Sequence, residues 1–74
     1  MKYNGLKNWN HWNVSLWLNN DEELYHAMLD RARRNSRDIA AYGLLVDLKA
    51  AGITHTPDGA PYSVTSIKAA MVGL

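Results

Sequence analysis

RDIAAYGLLVDLKAAG, residues 37–52, reads as one helix with its start and stop signals attached. Ser36 precedes it as an N-cap residue, able to accept from an unpaired backbone N–H of the first turn. Gly52 stands where a left-handed residue ends a helix without steric cost. Between them Ile39, Ala40, Ala41, Tyr42, Leu44, Leu45, Val46, Leu48, Ala50 and Ala51 occupy nearly the whole circumference. A helix apolar all round belongs in an interior, so the helix over 37–51 is expected to be the central, most buried one. Gly43 in its body costs about 1 kcal/mol against Ala. A close helix–helix crossing at Gly43 is the expected compensation.

Upstream, Leu24, Tyr25, Met28, Leu29 and Ala32 recur at helical spacing. Asp21 caps this second helix, and Glu22 and Glu23 meet the positive end of its dipole. Arg31, Arg33 and Arg34 fall in its last turn, where cations complement the negative end, and Asn35 stops it. The helix is expected over 22–34. Val14, Trp17 and Leu18 mark a first helix over 12–19, ending at Asn19-Asn20. Residues 1–11, with Asn4-Gly5, Asn8 and Asn10, read as an extended N-terminal segment. Downstream, ITHTPDGAPY at 53–62 is a loop whose Pro57-Asp58-Gly59 signals a turn, with a small β-like element expected around it. Ser63 caps a last short helix over 64–72, with Val64, Ile67, Ala70 and Met71 on one face. The fold class is therefore all-α, a compact bundle of about four short helices in a single domain spanning 1–74.

Composition narrows the functional classes. The chain has 74 residues, 47% of them hydrophobic, which is too apolar for a disordered segment. It has no cysteine, so neither a disulfide framework nor a Cys-based metal site is available. His11, His26 and His55 are not at metal-ligand spacing, so no metal and no cofactor is expected. Ser36, Ser63 and Ser66 sit at helix starts. The five glycines are scattered, and Glu22 and Glu23 are adjacent on a helix and diverge. No nucleophile with its base, no phosphate loop and no converging acid pair emerges, so the chain is not expected to be an enzyme and has no catalytic residues to nominate. No apolar stretch approaches a membrane span, and the first thirteen residues lack the apolar core of a signal peptide. A cytoplasmic protein without membrane association is expected.

The net charge of +1 hides a strong asymmetry. Residues 1–20 carry +2, residues 21–30 carry −4, residues 31–37 carry +4 and residues 38–74 carry −1. Arg31, Arg33, Arg34 and Arg37 thus form a local cationic segment. In one reading these arginines only complement the helix dipole and pair with Asp30 and Asp38 at helical spacing. In the other they meet an acidic partner or phosphates. Trp9, Trp12 and Trp17 are dense for so short a chain. Trp12 or Trp17 is expected to anchor the core, and Trp9, flanked by Asn8 and Asn10, to stay exposed.

Two segments resemble known families. Tyr3-Asn4-Gly5, Asn8-Trp9, Trp12-Asn13-Val14, Leu16-Trp17-Leu18 and Asn20-Asp21 resemble the opening of a family of small uncharacterised proteins from bacteriophages, prophages and some archaeal elements. In that pattern a Tyr stands at the place of Trp9 and a Thr at that of His11. The resemblance implies a mobile-element source and no particular mechanism. Gly52-Ile53-Thr54, Thr56-Pro57-Asp58-Gly59, Tyr62, Ser63, Val64 and Ile67 are similar to a short segment of the DNA-contacting domain of large serine recombinases. The catalytic domain of that family is absent, so what this similarity implies is a helix–loop–helix reader alone.

The functional expectation is a non-catalytic phage-type protein that binds a host macromolecule, foremost a host protein, for example to inhibit a defence system. Tyr3, Trp9, Arg31, Arg33, Arg34 and Arg37 are its candidate partner-binding residues, since aromatic and Arg side chains dominate binding hot spots. If phage-encoded, it would act in the host cytoplasm, as monomer or homodimer. The alternative is a small helix-turn-helix-like DNA- or RNA-binding protein, with Lys49, Thr65, Ser66 and Lys68 as nucleic-acid contacts. Its near-neutral charge counts against that alternative.

Overall fold

In a computed structural model, which describes residues 8–72, four helices follow one another: α1 (Trp9–Asn20), α2 (Glu22–Arg34), α3 (Arg37–Ala50) and α4 (Val64–Ala70). Each starts at a side chain that satisfies an orphan backbone N–H. Asn8 accepts from His11, Asp21 from Leu24, Ser36 from Ile39 and Ser63 from Ser66. The Ser63 cap is reciprocal, because the Ser66 hydroxyl also accepts from the Ser63 backbone N–H at 3.0 Å. α2 has the expected bounds. α1 begins at Trp9, three residues before the spacing predicts, so the N-terminal segment read as extended to residue 11 is helical from residue 9. Residues 1–7 of that segment lie outside the described residues.

Between α3 and α4 the chain makes a tight excursion. Gly52 (φ 78°) takes the left-handed conformation expected of it, and Ile53 N–H returns to Leu48 O at 2.8 Å. His55 and Pro61 form an antiparallel bridge, flanked by Thr56 N–H to Ala60 O and Tyr62 N–H to Thr54 O. Gly59 (φ 97°) closes the turn. This is the β-like element that Pro57-Asp58-Gly59 predicts.

The helices pack as a ring, α1 on α2, α2 on α3, α3 on α4 and α4 back on α1. The core inside the ring is built from Val14 and Leu18, Met28, Ala40, Ala41, Leu44 and Leu48, and Ile67, Ala70 and Met71, with Ala60 and Tyr62 contributed by the loop. The radius of gyration is 11.1 Å, as a domain of this length should have, about 11 Å.

Two expectations about the core change. No Trp enters it: Trp12 and Trp17 are only half-buried and lie outside it. Trp17 carries an indole N–H that needs an acceptor, and it finds one at the surface in Asp58. Nor is α3 the central helix. Its inner face is Ala40, Ala41, Leu44 and Leu48, while Ile39, Tyr42 and Val46 face solvent. In a ring each helix has only two neighbours, and α3 contains more apolar side chains than two neighbours can cover.

Candidate functional site

The cationic segment is held by its own local geometry. α2 ends when Asn35 returns its backbone N–H and its side-chain amide to Arg31 O, and α3 starts one residue later at the Ser36 cap. This short link folds α3 back beside α2, and the four arginines acquire different neighbours. Arg31 crosses the space left by the missing Gly43 side chain and forms an ion pair with Asp47 of α3. The close approach over Gly43 is thus made by an arginine of α2. Arg34 pairs with Asp30 one turn earlier, Nε to Oδ1 at 3.2 Å. Arg33 and Arg37 are exposed, with no carboxylate at ion-pair distance among the described residues.

Between α2 and α3 lies an open groove of about 470 Å³, lined by Ala27, Asp30, Arg31, Arg34, Asn35 and Asp47. Its two arginines and two aspartates are joined as the pairs Arg31–Asp47 and Arg34–Asp30. Exposed pairs of this kind each contribute only about 0.2–1 kcal/mol. Their charges can therefore be re-paired with an incoming partner at little cost.

The other nominated residues are dispersed. Trp9 opens α1 and is 39% exposed. Tyr3 lies outside the described residues. Lys49 is exposed near the end of α3, and Thr65 is exposed in the first turn of α4. Ser66 is buried and its hydroxyl is committed to the α4 cap. Lys68 reaches Asp38 of α3 at 2.7 Å, so Asp38 pairs with Lys68 and not with Arg34. Among the described residues no group of three His, Asp or Glu side chains is placed to hold a metal ion, and no helix is long and apolar enough to cross a membrane.

Two features escaped the reading by spacing. One is a polar clasp between α1 and the 54–62 loop. Asn13 and Trp17, one turn apart on α1, both donate to Asp58 Oδ2 at 2.9 Å. Thr56 donates its hydroxyl to Asn13 Oδ1 at 2.5 Å and accepts from Ala60 N–H at 3.0 Å. These two donors hold the Asp58 carboxyl below its ordinary range, Asn13 having the larger effect. The clasp joins the Trp-Asn-Val-x-Leu-Trp stretch to the Thr-Pro-Asp-Gly turn, each of which had stood out separately. The other feature is the outward face of α3. The spacing of Ile39, Tyr42 and Val46 was its visible signal.

Residues 1–73 match the model of a family described as a family of unknown function (DUF7249). No curated protein and no solved structure matches the chain.

Proposed function

The chain belongs to DUF7249, a family of unknown function, and we propose that it is a non-catalytic binding protein of a mobile element that acts by occupying the surface of a host protein in the cytoplasm. The observation that carries this reading is the mixed-charge groove between α2 and α3, with Arg33 and Arg37 exposed in the same cationic segment. Arginine is suited to such a role, since its planar fork meets carboxylates in two parallel hydrogen bonds and loses little freedom in doing so. The partner this surface fits presents carboxylates to Arg33 and Arg37 and competes for Arg34 through its weak pair with Asp30. The nucleic-acid alternative has less support, because Ser66 is buried and the chain is close to neutral, +1 overall, where nucleic-acid binders are clearly basic.

Affinity capture from host lysate tests the proposal, comparing the native chain with an Arg33→Glu/Arg37→Glu variant whose helical circular dichroism is unchanged. One host protein retained by the native chain and lost by the variant is the expected result. Retention that ignores the charge reversal sinks the role given to the arginines. Retarded DNA or RNA, released as salt is raised, would replace the proposal with the nucleic-acid reading.

A further inference from the structure

Asp58-Gly59 is the single aspartyl–glycyl peptide of the chain. Asp21, Asp30, Asp38 and Asp47 are followed by Glu22, Arg31, Ile39 and Leu48, all of which lie inside helices. A glycine after an aspartate has no Cβ to screen its nitrogen. In an open chain such a peptide closes on itself. The Gly nitrogen attacks the Asp Cγ, the N–Cγ bond forms, the nitrogen gives up its proton, and a carboxyl oxygen leaves as water, giving a cyclic imide (a succinimide). Water then reopens the ring at either carbonyl. Opening on one side restores aspartate, and opening on the other leaves the backbone running through the side-chain carbon, as isoaspartate. Nothing is oxidised or reduced, and the water lost on closure returns on opening.

The folded chain ties down both reacting atoms. The Gly59 N–H donates to Thr56 O at 2.9 Å, so its nitrogen is occupied. Asp58 Oδ2 accepts from Asn13 Nδ2 and Trp17 Nε1, each at 2.9 Å, which fastens the carboxylate, and Cγ with it, to α1. The same donors favour the ionised carboxylate, whereas water leaves only from the protonated acid. Thr56 links the two restraints, because its carbonyl holds Gly59 while its hydroxyl fixes Asn13. Asp58 and Gly59 are exposed, so solvent reaches the peptide as soon as it is released.

We infer that Asp58-Gly59 is a latent isomerisation site, held shut by the clasp between α1 and the 54–62 loop. Whenever the clasp parts, both reacting atoms are freed together and the imide can form. Isoaspartate adds a carbon to the backbone of the turn and shortens the arm that bears the carboxylate. From that arm the group no longer meets Asn13 and Trp17 together, so a modified chain does not re-form the clasp. The modification removes the contact that suppresses it. No partner takes part, so the site is independent of the binding role proposed above.

The test is to age the full chain at neutral pH, digest it, and score the peptide containing residue 58 for isoaspartate by chromatography and by enzymatic methylation of the isoaspartyl carboxyl. Asn4-Gly5 falls on another peptide and changes mass as it loses ammonia, so it is told apart. Folded native chain should isomerise at Asp58 at least about tenfold more slowly than the same chain unfolded in guanidinium chloride, since reaction is confined to the open fraction. Asn13→Ala should raise the native rate at least about fivefold, the effect on an open population of one lost buried hydrogen bond. Trp17→Phe, which keeps an aromatic ring and removes the indole N–H, should also raise it, and serves if Asn13→Ala does not fold. Native chain brought by dilute guanidinium chloride to the stability of each variant separates the clasp from the fold at large, and should age more slowly than that variant. An unfolded chain that forms no isoaspartate at position 58 overturns the inference. So does a folded chain that ages as fast as the unfolded one, or a variant that ages no faster than the stability-matched native chain.

Discussion

The Asn13 carboxamide works at both ends, accepting from the Thr56 hydroxyl and donating to Asp58. The proton order along the clasp is fixed: Ala60 N–H to Thr56 Oγ, Thr56 O–H to Asn13 Oδ1, Asn13 N–H to Asp58. Asn13 and Thr56 are both buried, so removing one partner leaves the other's polar group unsatisfied out of reach of water. Asn13→Ala should therefore cost about 1–3 kcal/mol, the penalty for an unmade buried hydrogen bond. Urea denaturation should show this as a lower midpoint with an unchanged slope. The clasp ends on a carboxylate that accepts two N–H groups, which makes it sensitive to acid. With its folded-state pKa depressed by those donors, Asp58 stabilises the fold at neutral pH. That contribution is lost as pH falls below the ordinary carboxylate value of about 4 and through the folded value. An Asp58→Asn variant should accordingly lose less stability than the native chain between about pH 4 and pH 2. Equal acid sensitivity of the two proteins would remove Asp58 from the account.

Among the elements, α3 contains the clearest opposition of small terms. A Cβ at Gly43 would collide with the end of the Arg31 side chain, which is flexible and can swing away at the expense of its pair with Asp47. That pair is half-exposed and is worth about 0.2–1 kcal/mol, while replacing Gly by Ala inside a helix returns about 1 kcal/mol. Gly43→Ala should thus change stability by less than about 1 kcal/mol, in the stabilising direction, as measured by thermal unfolding. A large destabilisation would mean that the Arg31 crossing is rigid. The same elements explain what sequence could and could not tell. The bounds of α2 were legible because Asp21 and Asn35 are strong local signals. The start of α1 was not, because Asn8 is followed by Asn10 and His11, which carry no apolar period. That α3 is a helix was legible, but which side of it is buried was not. An all-round apolar pattern cannot distinguish an interior helix from one that buries half its circumference and displays the rest. The pairs Arg31–Asp47 and Lys68–Asp38 cross between helices, so spacing within one helix could not find them.

For the whole molecule the decisive contact is α1 against α4, which closes the ring and brings together the first and last helices. The clasp lies on this closure, joining residues 41 to 45 positions apart. Such separation hides the clasp from any local reading. The same separation predicts an order of events in folding. The α2–α3 pair is joined by a short link and can assemble from near neighbours, whereas seating α1 on the loop requires a far larger chain closure and belongs late in folding. A bond formed after the rate-limiting barrier limits how fast the protein opens and leaves the rate of assembly alone. The stability lost in Asn13→Ala should appear almost entirely as faster unfolding in stopped-flow denaturation, with refolding little changed. Slower refolding at an unaltered unfolding rate would instead place the clasp in the nucleus. With late closure, the clasp would act as the latch of the molecule, setting its lifetime between openings.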